Sequence, residues 1–184
     1  NHTELLESMV RDRTESLRQL ADLDPLTGIC NRRGFLEAAE RMRRGDHGVL
    51  LIDMDLFKTI NDAFGHLGGD TVLAEASRRL KEAVGRHGVC GRWGGDEFIV
   101  LADCDNAAAL QKLAGKLLTS VSKDTVRLTI SVGCALLRPD DEFDAGVACS
   151  DLALYAAKMA GRNGAVLYKA EIHGEPGTVM KQFA

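Results

Sequence analysis

The chain has 184 residues, 45% of them apolar and 27% charged, and a net charge of −4 at neutral pH, which fits one globular domain able to bury its own core. The acidic surplus offers no basic footprint, which argues against a nucleic-acid polymer as partner, and no apolar run approaches the roughly 20 residues of a bilayer span, which argues against membrane contact by this segment. Five scattered cysteines (Cys30, Cys90, Cys104, Cys134, Cys149) without a C-x-x-C pair suggest neither a disulfide framework nor a zinc site, so a reducing cytoplasm is the expected compartment.

Residues 1–21 lack Gly and Pro, and Leu6, Met9, Leu20 and Leu23 trace a heptad seam broken by Arg13 and Ser16. The spacing predicts a helix that is either a two-stranded linker or an amphipathic helix packed on its own domain. Asp24-Pro25-Leu26-Thr27-Gly28 ends it, because Pro25 restricts the residue before it and Gly28 supplies a turn. The expected organisation is a linker helix over 1–23, a compact domain over 24–168 and a tail over 169–184 without a clear period. Opening on Asn1 rather than Met, the chain reads as a cut from a longer protein whose upstream part would carry a sensor or an anchor.

Within the compact domain, helical periodicity runs from 33 to 44, and Val49-Leu50-Leu51-Ile52 reads as a strand buried on both faces. A short helix is expected over 57–64 and a longer one over 70–84, with Val72, Leu73, Ala76 and Leu80 on one face. Strands over 89–93 and 97–101 flank a Gly94-Gly95 turn as a hairpin. A helix over 106–121, a strand over 126–137, a helix over 147–160 stopped by Gly161, and a strand over 165–168 complete the pattern. Alternation broken by one hairpin predicts a mixed sheet covered by helices.

Two acidic clusters stand out. Asp53 and Asp55 follow a strand too apolar to hold them inside. A carboxylate there, beside a helix N-terminus, suits Mg²⁺, and the backbone amides of Leu56 and Phe57 suit phosphate. The plainer reading of either aspartate is a helix N-cap. Asp96 and Glu97 sit at the glycine turn, and since neighbouring strand residues point to opposite faces, they should do different jobs unless the turn distorts the alternation. Taken alone, this cluster reads more readily as a solubilising turn.

Gly94-Gly95-Asp96-Glu97-Phe98 resembles the signature of the GGDEF family, whose active members are diguanylate cyclases. Asp24 to Gly28 with Asn31-Arg32-Arg33, the run Asp53 to Asp62, Gly65-His66 with Gly69-Asp70, Ser131-Val132-Gly133, and Ala153 to Lys158 through Gly161-Arg162-Asn163 are similar to further family motifs in order. The likeness spans residues 24–168. It implies an α+β, ferredoxin-like, palm-type mixed sheet with the signature hairpin at the active edge. It also implies condensation of two GTP into cyclic di-GMP and two pyrophosphates, by attack of a 3′-hydroxyl on an α-phosphate across a symmetric homodimer.

Carried over position by position, the resemblance puts two Mg²⁺ (or Mn²⁺) per site on Asp53, the Met54 carbonyl and Asp96. It makes Glu97 the proton acceptor and gives the triphosphate contacts to Lys58, Lys158 and Arg162. Asn61 and Asp70 become the guanine readers, and an unpaired buried Asp costs about 1–3 kcal/mol, so adenine should be rejected. His66 lies in the matching turn and reads more readily as structural. Two departures matter: Trp93 stands where Tyr is frequent, and Gly85-Arg86-His87-Gly88 occupies the place of the inhibitory Arg-x-x-Asp motif. Rival readings are a catalytically silent nucleotide-binding member, a cyclase for another dinucleotide, and a scaffold without a nucleotide site.

Overall fold

The computed structural model describes residues 2–42, 44–122 and 128–173, with the α1 side chains of residues 3–11, 13, 14, 21 and 22. In chain order the elements are α1 (His2–Asp22), α2 (Arg32–Met42), β1 (His47–Met54), α3 (Phe57–Val84), β2 (Gly88–Arg92), β3 (Glu97–Asp103), α4 (Ala107–Val121), β4 (Ile130–Leu137), α5 (Phe143–Met159), β5 (Gly164–Leu167) and α6 (Ala170–His173). The strands form one sheet in the order β2-β3-β1-β4-β5. All neighbours are antiparallel except β4 and β5. The run β1-α3-β2-β3-α4-β4 with β1 and β3 side by side is the split βαβ arrangement of a ferredoxin-like domain, as expected.

Period-two alternation divides the core cleanly. Leu50, Ile52, Met54, Phe98, Val100, Ile130 and Val132 face one way, toward α3 and α4. Val49, Leu51, Ile99 and Leu101 face the other, with Phe35 of α2 and Phe143 and Leu154 of α5. On this second face α5 lies so close to β4 that a methyl group on Gly133 would collide with the backbone of Ser150 and Leu154. Glycine is therefore what lets α5 reach the end of β1. Among the described residues, no buried side-chain nitrogen or oxygen lacks a partner.

Some boundaries move. The helices expected over 57–64 and 70–84 are one element, broken only at Gly65 (φ 72°, ψ 172°), a conformation that glycine reaches without strain. The strand expected from 126 begins at Ile130, residues 126 and 127 lying outside those described. Helix α5 starts four residues earlier than its apolar period suggested, and the tail opens with the short α6. In α1, Leu5, Leu6, Met9 and Val10 are all about half exposed or more, so these side chains are not buried against the domain. The side chains of Ser16 and Leu20, two seam positions, lie outside those described.

Candidate active site

The acidic edge is built by strand register. Glu97 of β3 and Ser131 of β4 lie on either side of Asp53 of β1, so three polar side chains form a row on the α2/α5 face where the apolar alternation ends. Helix α5 lays Lys158 over this row, its Nζ 2.8 Å from Asp53 Oδ2. The proton affinity of Asp53 is raised, first by burial and then by Asp96 and Asp55, with Lys158 pulling the other way. Glu97 is raised as well, first by burial and next by Asp53, with Asp96 and Asp151 adding and Lys158 opposing. Asp96 sits in the turn rather than on the strand, its carbonyl accepting from the Met54 amide at 3.2 Å. Asp96 and Glu97 are both coupled electrostatically to Asp53.

Behind this row Asp55 has a different life. It is only 6% exposed and is not a helix cap, since α3 starts at a left-handed Leu56 (φ 55°) with no side chain capping it. Its carboxylate accepts from Thr129 Oγ1 at 2.8 Å, Ser131 Oγ at 2.6 Å and the Asn163 amide at 3.0 Å. The last bond holds a turn in which Gly161, Arg162 and Asn163 all have positive φ. For a residue such as Arg162 that costs roughly 1 kcal/mol or more. Sequence alone missed this role, because it depends on the β1–β4 register.

The uncapped start of α3 leaves amide donors at the phosphate-facing end that the sequence assigned to Leu56 and Phe57. Lys58 is exposed in the first turn, and Phe57 packs partly on the core. The Asn61 side chain lies directly against Gly69, which brings it within one residue of Asp70. Both predicted base readers therefore share one end of α3, with exposed His66 between them just past the Gly65 break.

A second missed residue is Arg92. Its guanidinium donates to the carbonyls of Gly94 (3.2 Å) and Gly95 (2.7 Å) and to Asp24 (3.2 Å). Burial pushes the Asp24 carboxyl up, but bonds from Thr27 and the charge of Arg92 outweigh it and hold it below its ordinary range. Trp93 lies edge-on to Phe35 at 6.1 Å and beneath the Arg32 guanidinium at 4.2 Å. A cavity of about 520 Å³ opens beside Glu97, walled by Arg32, Trp93, Asp144 and Asp151. A larger cleft of about 720 Å³ between α3 and α4 lies away from the acids, and its Arg78 is already paired with Glu75 and Glu82.

Among the described residues no three His, Cys, Asp or Glu side chains close into a ready metal cage. The donor set nevertheless fits a hard divalent cation: Asp53 and Asp96 supply carboxylate oxygens, and Lys158 already acts as the protein's own counter-cation on Asp53.

Residues 21–164 match the family described as "Diguanylate cyclase, GGDEF domain". The chain belongs to the GGDEF-domain diguanylate cyclase family. It is 36% identical over 159 residues to the diguanylate cyclase DgcM of Escherichia coli K12, covering 81% of this chain and 39% of DgcM. It is equally 36% identical over 170 residues to the cyclic di-GMP phosphodiesterase NbdA of Pseudomonas aeruginosa, covering 85% of this chain and 22% of NbdA. This GGDEF domain thus spans less than half the length of either relative. The solved diguanylate cyclase SiaD of Pseudomonas aeruginosa, in complex with its activator SiaC, superposes with a TM-score of 0.78 at 31% identity over 90% of this chain and 68% of SiaD. Members of the GGDEF family use divalent metal. No helix among the described residues is long and apolar enough to cross a membrane.

Proposed function

We propose that residues 24–168 are the catalytic domain and condense two GTP into cyclic di-GMP and two pyrophosphates, each protomer of a homodimer holding one GTP. The reading rests on one observation, the convergence of Asp53, Asp96 and Glu97 under Lys158 in a chain of this family. Asp53, the Met54 carbonyl and Asp96 would hold divalent metal, two ions per site. When bound, the metal supplies Lewis-acid polarisation of the phosphate oxygens.

The chain's own residues supply the rest. Lys158 and Arg162, with Lys58 and the amides of Leu56 and Phe57, hold and orient the triphosphate. Asn61 and Asp70 read the guanine edge, and His66 supports the turn between them. Glu97 accepts the proton of the 3′-hydroxyl, a role suited to a carboxylate whose proton affinity is raised. The 3′-hydroxyl must come from a second GTP, so two half-sites must face each other across a two-fold axis. The exposed seam of α1 suits the pairing of linker helices, on which an upstream sensory domain would act in the cytoplasm.

The stretch Gly85–His87 is a short 3-10 turn without the Arg-x-x-Asp pattern, so product inhibition through that motif is not expected. Incubation with GTP and Mg²⁺, with chromatographic detection of products and an ATP control, tests the proposal. Cyclic di-GMP from the parent and none from Asp53→Asn supports it. Absence of product at concentrations that enforce dimers overturns it in favour of a nucleotide-binding regulatory module.

A further inference from the structure

The structure assigns to Asp55 a positioning role: it pins the left-handed turn after α5 and thereby sets where Lys158, over the end of β1, and Arg162, in the turn itself, present their cations. The inference rests on the proposed contact of those two cations with the triphosphate.

Three elements meet at this one carboxylate. Its own amide donates to the Thr129 carbonyl at 2.9 Å, joining the end of β1 to the approach to β4. Thr129 and Ser131 donate their hydroxyls from the β4 side, and Asn163 donates its amide from the far side of the turn. All three donors to the carboxylate are neutral. The turn it holds is one the chain would not choose locally, with Arg162 at φ 65° and Asn163 at φ 46° in succession. A second bond, from the Arg162 amide to the Ala157 carbonyl at 3.1 Å, ties the same turn to the last turn of α5. Lys158 stands on that last turn. Without Asp55 the turn is free to relax toward ordinary dihedrals, swinging Arg162 away and loosening the end of the helix that carries Lys158. Asp55 touches no substrate in this account and acts through the backbone.

A carboxylate that merely stabilised the fold would affect every ligand alike, and one that acted merely by its charge would be lost equally in any neutral replacement. Comparison of Asp55→Ala with Asp55→Asn separates these cases. The asparagine oxygen can still accept the Asn163 amide while its NH₂ donates to the Ser131 hydroxyl, so the turn is kept although the charge is gone. Dissociation constants for a non-hydrolysable GTP analogue and for GMP would be measured by titration calorimetry with Mg²⁺ present. Asp55→Ala should weaken the GTP analogue about tenfold or more and GMP less than twofold, while Asp55→Asn stays within about threefold of the parent for both. Should the alanine variant not fold, Asp55→Ser, whose hydroxyl falls short of the Asn163 amide, carries the same test.

Equal weakening of both ligands, or equal effects of Ala and Asn, overturns the positioning role. A parent protein that binds GMP as tightly as the GTP analogue instead overturns the triphosphate reading, and the inference with it.

Discussion

Asp53 and Asp55 are two residues apart at the end of one strand, and their surroundings could hardly differ more. Asp53 lies in a row of acids under a lysine, with its proton affinity raised, whereas Asp55 is buried among three neutral donors. A buried carboxylate satisfied by hydrogen bonds consolidates a structure, while one crowded by like charges waits for a cation. On the proposed reading, the two acids of one short motif divide the labour between chemistry and scaffold. The division is set by the neighbouring strands, since Asp53 looks across at Glu97 and Asp55 looks at the β4 hydroxyls.

The sharpest way to break this contrast is at the acidic row. Asp53→Asn and Glu97→Gln should each lower cyclic di-GMP synthesis by about a hundredfold or more, measured as initial rate per dimer. Both should also raise the melting temperature of the nucleotide-free, metal-free protein at neutral pH. A carboxyl whose folded pKa lies above its unfolded value contributes stability below the unfolded value and loses it as pH rises through the folded one, so at pH 7 each ionised acid opposes folding. The gain should vanish toward pH 4. Added Mg²⁺ should raise the parent's melting temperature and leave that of Asp53→Asn nearly unchanged.

Next in size is Gly133→Ala. It forces α5 off β4 and should cost roughly 1–3 kcal/mol, read in denaturant unfolding. Because Lys158 rides on α5, activity should fall further than stability accounts for.

Arg92→Ala removes bonds to two turn carbonyls and to Asp24, worth about 1.5–3 kcal/mol at a partly buried site. Its pH signature is the reverse of that of the acidic row. Asp24, held low in the fold, contributes stability above its unfolded value of 3.8 that is lost as pH falls through the folded one, so the parent's advantage over the variant should shrink in acid.

Glu75→Gln comes last. Pairing with Arg78 and Arg79 lowers Glu75 to about 2, yet its side chain lies at the surface, 42% exposed, and solvent screens it. Its melting temperature should not change measurably, low as the carboxyl titrates.

What could be read from sequence follows the same divide. The apolar run of β1, the helix break near Gly65 and the hairpin at Gly94-Gly95 were legible because periodicity and turn chemistry are local. Asp53, Asp96 and Glu97 were legible through their motifs. The jobs of Asp55 and Arg92 were not, because one depends on β4 lying beside β1 and the other on a hairpin meeting a loop 68 residues earlier. Gly133 was visible as part of a motif, but its reason, the close approach of α5, was not.

Arg92 has a mechanical consequence. One guanidinium grips the tip of the signature hairpin and Asp24 just past the end of α1, while Arg33 and Asn31 fasten the α1 exit to the start of α2. The end of α1 and the hairpin tip are therefore tied together through these side chains, and a displacement of one would be felt by the other.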